Sequence, residues 1–99
     1  HAPGQLSSHY APRAELRLNA GEPRAGEAYL GFGALHAHGP YNLSARGDLV
    51  EAAAALFGLL HEIDATGVAR IAVAPVPHHG LGEAINDRLL RAAAPRGAP

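Results

Sequence analysis

The 99-residue chain contains no cysteine, methionine, tryptophan or lysine. Each absence excludes a class of chemistry. Without cysteine there is no disulfide, no thiolate metal site and no thiol nucleophile. Without lysine there is no phosphate-binding loop of the Gly-Lys-Ser or Gly-Lys-Thr type, and no reaction that needs an amine side chain. A dominant charge is also missing. Eight arginines stand against nine Asp and Glu, a net charge of −1, so nothing electrostatic draws the chain to nucleic acid or an anionic membrane. No run is long and apolar enough to span a bilayer, and nothing at the start resembles a signal peptide. A cysteine-free chain without these segments fits a reducing cytoplasm, which is the expected location. The opening "HAPGQLSSHYAP" lacks an initiator methionine and reads as the interior of a longer polypeptide.

Aromatic residues are scarce as well, at three Tyr and two Phe. Hydrophobic residues make up 47% of the chain, but alanine supplies much of that share and buries little area. One domain with a small, marginally stable core is expected, and docking on another body would help it.

Residues 1–12 carry Pro3, Gly4, Ser7, Ser8 and Pro12 with no helical or strand period. They read as an extended linker outside the core. "AELRL" sets Leu16 and Leu18 against Glu15 and Arg17, a half-buried strand. "AYLGFGAL" is apolar on both faces and reads as a buried strand, loosened by Gly31 and Gly33. "YNLS" fits a further short strand. Asp48 followed by Glu51 forms a capping-box pattern. Leu49, Ala53, Leu56, Leu60 and Ile63 then recur at helical spacing, widened by Val50 and Phe57, and Gly67 stands where a C-terminal cap belongs. Gly58 costs this helix about 1 kcal/mol relative to alanine, which implies a neighbour packed closely against it. "VARIAVAPV" is apolar on both faces, as a central parallel strand is, and Leu81, Ile85 and Leu89 mark a last helix. Strand, helix, strand, helix predicts an α/β fold built on a right-handed crossover.

The turn Gly80-Leu81-Gly82 matches two glycines of a dinucleotide-binding fingerprint and places Ile85 at the third position. It is the last such turn of the chain rather than the first, and Glu83 sets a carboxylate where a phosphate would sit. Chain reversal is the preferred reading; a ligand turn at Gly80 and Gly82 is the alternative. Seven histidines invite a metal site. However, His36 with His38 and His78 with His79 lie in loops and lack the spacing of helical ligand pairs, so no metal site is expected. His61 suits the negative end of its helix. None of Ser7, Ser8 and Ser44 lies in a nucleophile elbow.

Ala2-Pro3-Gly4 followed by His9-Tyr10-Ala11-Pro12-Arg13 resembles the linker of the long form of threonylcarbamoyl-AMP synthase. "GLGEAINDRLLRAA" at 80–93 resembles the end of that family's C-terminal domain, and "NLS" at 42–44 with "LVEAAAALFGLLHEID" at 49–64 its middle. The sequence departs from the family pattern at Ala55, where Asn is expected, at His61, where Arg is usual, and at His78 and His79. The resemblance implies a linker over 1–13 and a small Rossmann-like, three-layer accessory domain over 14–99 with a mostly parallel sheet. It implies an N-terminal YrdC-like catalytic domain as partner. That domain is a nucleotidyltransferase that joins ATP, with magnesium, to threonine and bicarbonate; its product feeds the threonylcarbamoyl modification of adenosine beside the tRNA anticodon. The linker would cross the catalytic cleft, with His9 and Tyr10 approaching bound nucleotide as a lid that excludes water. The segment alone would be inactive and hold no cofactor. Two rival readings stand beside this one: a small-ligand or nucleotide-binding module at the Gly80–Gly82 turn, and a tRNA or protein docking module through Arg88 and Arg91, whose field Glu83 and Asp87 dilute.

Overall fold

The run Arg70-Ile71-Ala72-Val73 forms the strand around which the rest is assembled, with Ile71, Ala72 and Val73 fully buried. The structure is a computed structural model and describes residues 11–94. In chain order its elements are β1 (Glu15–Arg17), β2 (Glu27–Gly31), β3 (Tyr41–Asn42), α1 (Leu49–Asp64), β4 (Arg70–Val73) and α2 (Leu81–Ala93). The strands form one sheet in the order β1-β4-β2-β3, and every pairing is parallel. The α/β class and parallel sheet are those that the sequence predicts, and β4 is central.

Register fixes what each face carries. Leu16, Ile71 and Ala28 align across three strands, as do Val73 and Leu30, so one face is apolar. Helix α1 covers that face through Ala52, Leu56, Leu60 and Ile63, and α2 through Ile85 and Leu89. The two helices also pack against each other. Full burial of each Leu or Ile contributes roughly 1.5–3 kcal/mol. The opposite face carries the rows Glu15–Arg70–Glu27 and Arg17–Ala72–Tyr29. It is crossed by the connection from β1 to β2. There the Ala20 N–H donates to the Val73 carbonyl at 2.8 Å, and the Tyr29 hydroxyl donates to the Ala20 carbonyl at 2.7 Å. The connection thus covers this face around Ala72 and Tyr29, while Glu15 and Arg70 at its other end stay exposed.

Four expectations need correction. Pro12 is fully buried, so the packed domain begins inside the segment read as linker. Asp48 does cap α1, accepting from the Val50 N–H at 2.9 Å, but Glu51 does not close the box. Its carboxylate accepts from the Ser44 hydroxyl, and the same Ser44 oxygen accepts the Asp48 N–H at 2.9 Å. A buried serine therefore replaces the reciprocal bond. Gly58 is exposed with nothing near the position of a Cβ, so no neighbour requires it. Val50 and Leu81, placed on the apolar stripes, are 67% and 45% exposed because each lies in the first turn of its helix, at the rim of the core.

Candidate functional site

Two places in the fold concentrate unusual local structure. The first is the entry of the chain into the domain. The chain bends at Arg13 and Ala14. The Ala14 N–H donates to Oδ1 of Asp64 at 2.9 Å, and the Arg13 N–H donates to Oδ2 at 3.1 Å. The next N–H, of Glu15, begins the sheet ladder by donating to the Ala69 carbonyl at 2.9 Å. Asp64 is the last residue of α1 and is itself buried. Its carboxylate therefore ties the start of the domain to the end of the first helix. His9 and Tyr10, the predicted nucleotide-proximal residues, lie just upstream, outside the described residues.

The second is the C-terminal edge of the sheet. From β2 the chain departs toward β3, whereas from β4 it departs into α2, which packs on the side of β1. The connections diverge between β2 and β4, and such a divergence is where open parallel sheets form a ligand crevice. A groove of about 400 Å3 lies there, lined by Phe32, Gly33, Ala34, Leu35, His36 and Pro75 to Pro77. Its walls are apolar, and Leu35 is 88% exposed.

The glycine turn borders this edge through Pro77. A Cβ on buried Gly82 would overlap the Pro77 carbonyl oxygen, so only glycine fits without a shift. Gly80 holds a φ of 54°, in the left-handed region. The Gly82 N–H donates to the His79 carbonyl at 2.8 Å and the Glu83 N–H to the Gly80 carbonyl at 3.2 Å. Two donors at the start of α2 are thereby engaged within the turn. Asn86, to which no motif of the sequence gives a role, fastens it. Its amide donates to the Val76 carbonyl at 2.9 Å and to the Gly82 carbonyl at 2.8 Å. The only sequence signal was an asparagine one turn after a glycine turn.

The remaining polar candidates are dispersed. His36 contacts the Gly21 carbonyl at 3.2 Å, and the His38 ring meets Tyr29 edge-on at a centroid distance of 5.0 Å. His61, His78 and His79 are exposed. Among the described residues, no three His, Asp or Glu side chains converge. On α2, Arg91 pairs with Asp87 at 3.1 Å, while Arg88 turns to the Ala84 carbonyl at 3.4 Å. A bidentate ion pair lies on the face away from the helices. Arg17 donates from Nε and Nη2 to the two oxygens of Glu27, each at 2.8 Å, and the Arg24 N–H adds a bond at 2.7 Å. Hydrogen bonding to Arg17, then to the Arg24 backbone, holds the Glu27 carboxyl at about 2, against the desolvation that would raise it.

A family model described as the C-terminal domain of threonylcarbamoyl-AMP synthase matches residues 1–94. The chain belongs to that family. The match takes in both the segment upstream of the Asp64 clamp and the α/β domain, so the clamp lies within one continuous family unit. No curated protein and no solved structure matches the chain. Family membership makes the domain part of a multidomain synthase. No helix among the described residues is long and apolar enough to cross a membrane.

Proposed function

We propose that this domain is the accessory unit of a threonylcarbamoyl-AMP synthase, and that it presents its upstream linker as a lid over the active site of an N-terminal catalytic domain. In this reading the catalytic domain joins ATP, held with magnesium, to threonine and bicarbonate in the cytoplasm. The product, threonylcarbamoyl-AMP, goes on to modify tRNA. The linker keeps water from the carbamate and the acyl–phosphate anhydride, both prone to hydrolysis. Tyr10 suits a lid, because its ring buries apolar area while its hydroxyl still finds a partner. His9 stands beside it. The single observation that carries the reading is the family match, which takes linker and domain together. The test is Tyr10→Ala in the synthase with its catalytic domain attached. Threonylcarbamoyl-AMP formation is expected to fall severalfold with the melting temperature unchanged; unchanged synthesis would remove the lid role.

A second reading rests on the groove at the divergence of β2 and β4. Such crevices take ligands in open α/β sheets, and the Gly80–Gly82 turn meets this one through Pro77, against which Gly82 packs. Calorimetry with ATP distinguishes the two. Binding near 1 μM, about −8 kcal/mol, that a Gly82 substitution abolishes would favour a nucleotide module. The lid reading expects no such binding.

A further inference from the structure

Arg24 is the exception among the described arginines. Arg13, Arg17, Arg46, Arg70, Arg88 and Arg91 each meet a carboxylate or a carbonyl. Among the described residues, nothing bonds to or pairs with the Arg24 guanidinium. Yet the residue itself is held firmly. Its N–H donates to Glu27 at 2.7 Å, and its carbonyl accepts the Glu27 N–H at 3.1 Å. Gly26, at a φ of 83°, completes the turn between them. The fold thus fixes the backbone of Arg24 and leaves its charge unused.

Arg24 lines a hollow of about 290 Å3 at the uncovered end of the polar sheet face, together with Arg17, Arg70, Glu15 and Glu27. The charges there are not equivalent. Arg17 reaches across β4 and commits Nε and Nη2 to the two oxygens of Glu27, whose side chain is only 4% exposed. These two charges cancel and form a fixed floor. The Nη1 group of Arg17 makes no bond among the described residues, so it offers donors without adding net charge. Arg70 meets Glu15 at 3.6 Å, with both side chains mostly exposed, and such a pair holds weakly. Glu22 gives its carbonyl to Arg17, but its carboxylate does not line the hollow. Two guanidinium groups therefore remain, one from the β1–β2 connection and one from the central strand, against a single carboxylate at the rim.

An anion complements that set, and the number of forks selects its kind. A carboxylate has two oxygens, which one guanidinium fork consumes. A phosphate dianion offers oxygens to both forks and carries two charges. Leu16 and Ala25 line the rest of the hollow, an apolar margin suited to a small organic group. We propose that this hollow binds a phosphate group, free or on a small ester, with Arg24 and Arg70 as its ligands and the Arg17–Glu27 pair as its floor. The site shares no residue with the linker or with the groove, so it stands apart from both readings above.

The test titrates the isotope-labelled chain with inorganic phosphate, exchanged for chloride at constant ionic strength, and follows backbone amides by NMR. Saturable shifts are expected at residues 15–17, 24–27 and 70. Arg24→Gln and Arg70→Gln are each expected to weaken binding at least fivefold; both side chains are exposed, so the fold should persist. Glu15→Gln is expected to tighten binding at least twofold, a gain that damage to the fold could not produce. Arg91→Gln, a control on α2, is expected to leave the affinity within twofold. The inference is overturned if no amide of the hollow shifts at tens of millimolar phosphate, if the shifts survive both Arg24→Gln and Arg70→Gln, or if Arg91→Gln weakens binding as much as they do. Shifts at residues 32–36 and 75–77 instead would give the anion to the groove and overturn it too. Glycerol phosphate, titrated in parallel, separates the sources. Tighter binding than inorganic phosphate, lost with Arg24→Gln, marks an ester site over Leu16 and Ala25; equal binding marks a site for the free ion.

Discussion

Glu27 carries three hydrogen bonds on two oxygens, two from Arg17 and one from the Arg24 backbone. Its carboxyl is held at about 2, below the usual carboxylate range. A depressed folded-state pKa stabilises the fold above the unfolded value of roughly 4.3, and that contribution is lost as pH falls toward 2. The melting temperature should therefore drop between about pH 4.5 and 2. Glu27→Gln should begin less stable at pH 7 and show a shallower drop, read by thermal denaturation across pH. Gly82 makes a different demand. A Cβ there meets the Pro77 carbonyl, a backbone atom that cannot swing away as a side chain would. Gly82→Ala should cost about 1–3 kcal/mol in urea denaturation, as overpacking does. Of these features, the sequence offered only the glycine. Arg17 and Glu27 sit on β1 and β2, which are separated in the sheet by β4, and nothing in a linear reading reveals that their side chains meet across it. Asp64 was hidden for the same reason, since its partners lie about fifty residues away.

Helix α1 was legible as an element, because its apolar spacing and Asp48 cap are local signals that survive in the fold. What was not legible is which side of it stays open. Gly58 suggested a tight neighbour, and the structure leaves that position exposed. Gly58→Ala in this domain should therefore stabilise it by about 0.5–1 kcal/mol, by removing backbone entropy from the unfolded chain. That corresponds to a rise of a few degrees in melting temperature for a domain of this size. A loss of stability would show that the open surface is needed. The strands were legible where both faces are buried, as in β4, since an apolar run that ends in prolines admits few other readings. The two-residue β3 was legible only as a short possibility, because so brief a strand has no period of its own.

The whole molecule holds a parallel sheet with two helices on its apolar face and a connection across the other. Its class could be read from alternating strand and helix patterns, but the strand order could not, because order depends on which edges meet in space. Within the proposed synthase this body has no chemistry assigned to it. The isolated chain should release no pyrophosphate from ATP, threonine and bicarbonate above a protein-free control, and activity that co-purified with it would contradict the accessory role. The order β1-β4-β2-β3 carries a further consequence for how the chain is made. Among the described residues, the only strand neighbour of β1 is β4, and β2 is flanked on one side by the same late strand. As the polypeptide leaves the ribosome from its N-terminal end, β1, β2 and β3 emerge with the central position of their sheet still empty. The Asp64 clamp can form only after α1 is complete, and the sheet closes later still, when Arg70 to Val73 arrive. A chain released after α1 should show no protected amides by hydrogen exchange, since its sheet still lacks the central strand.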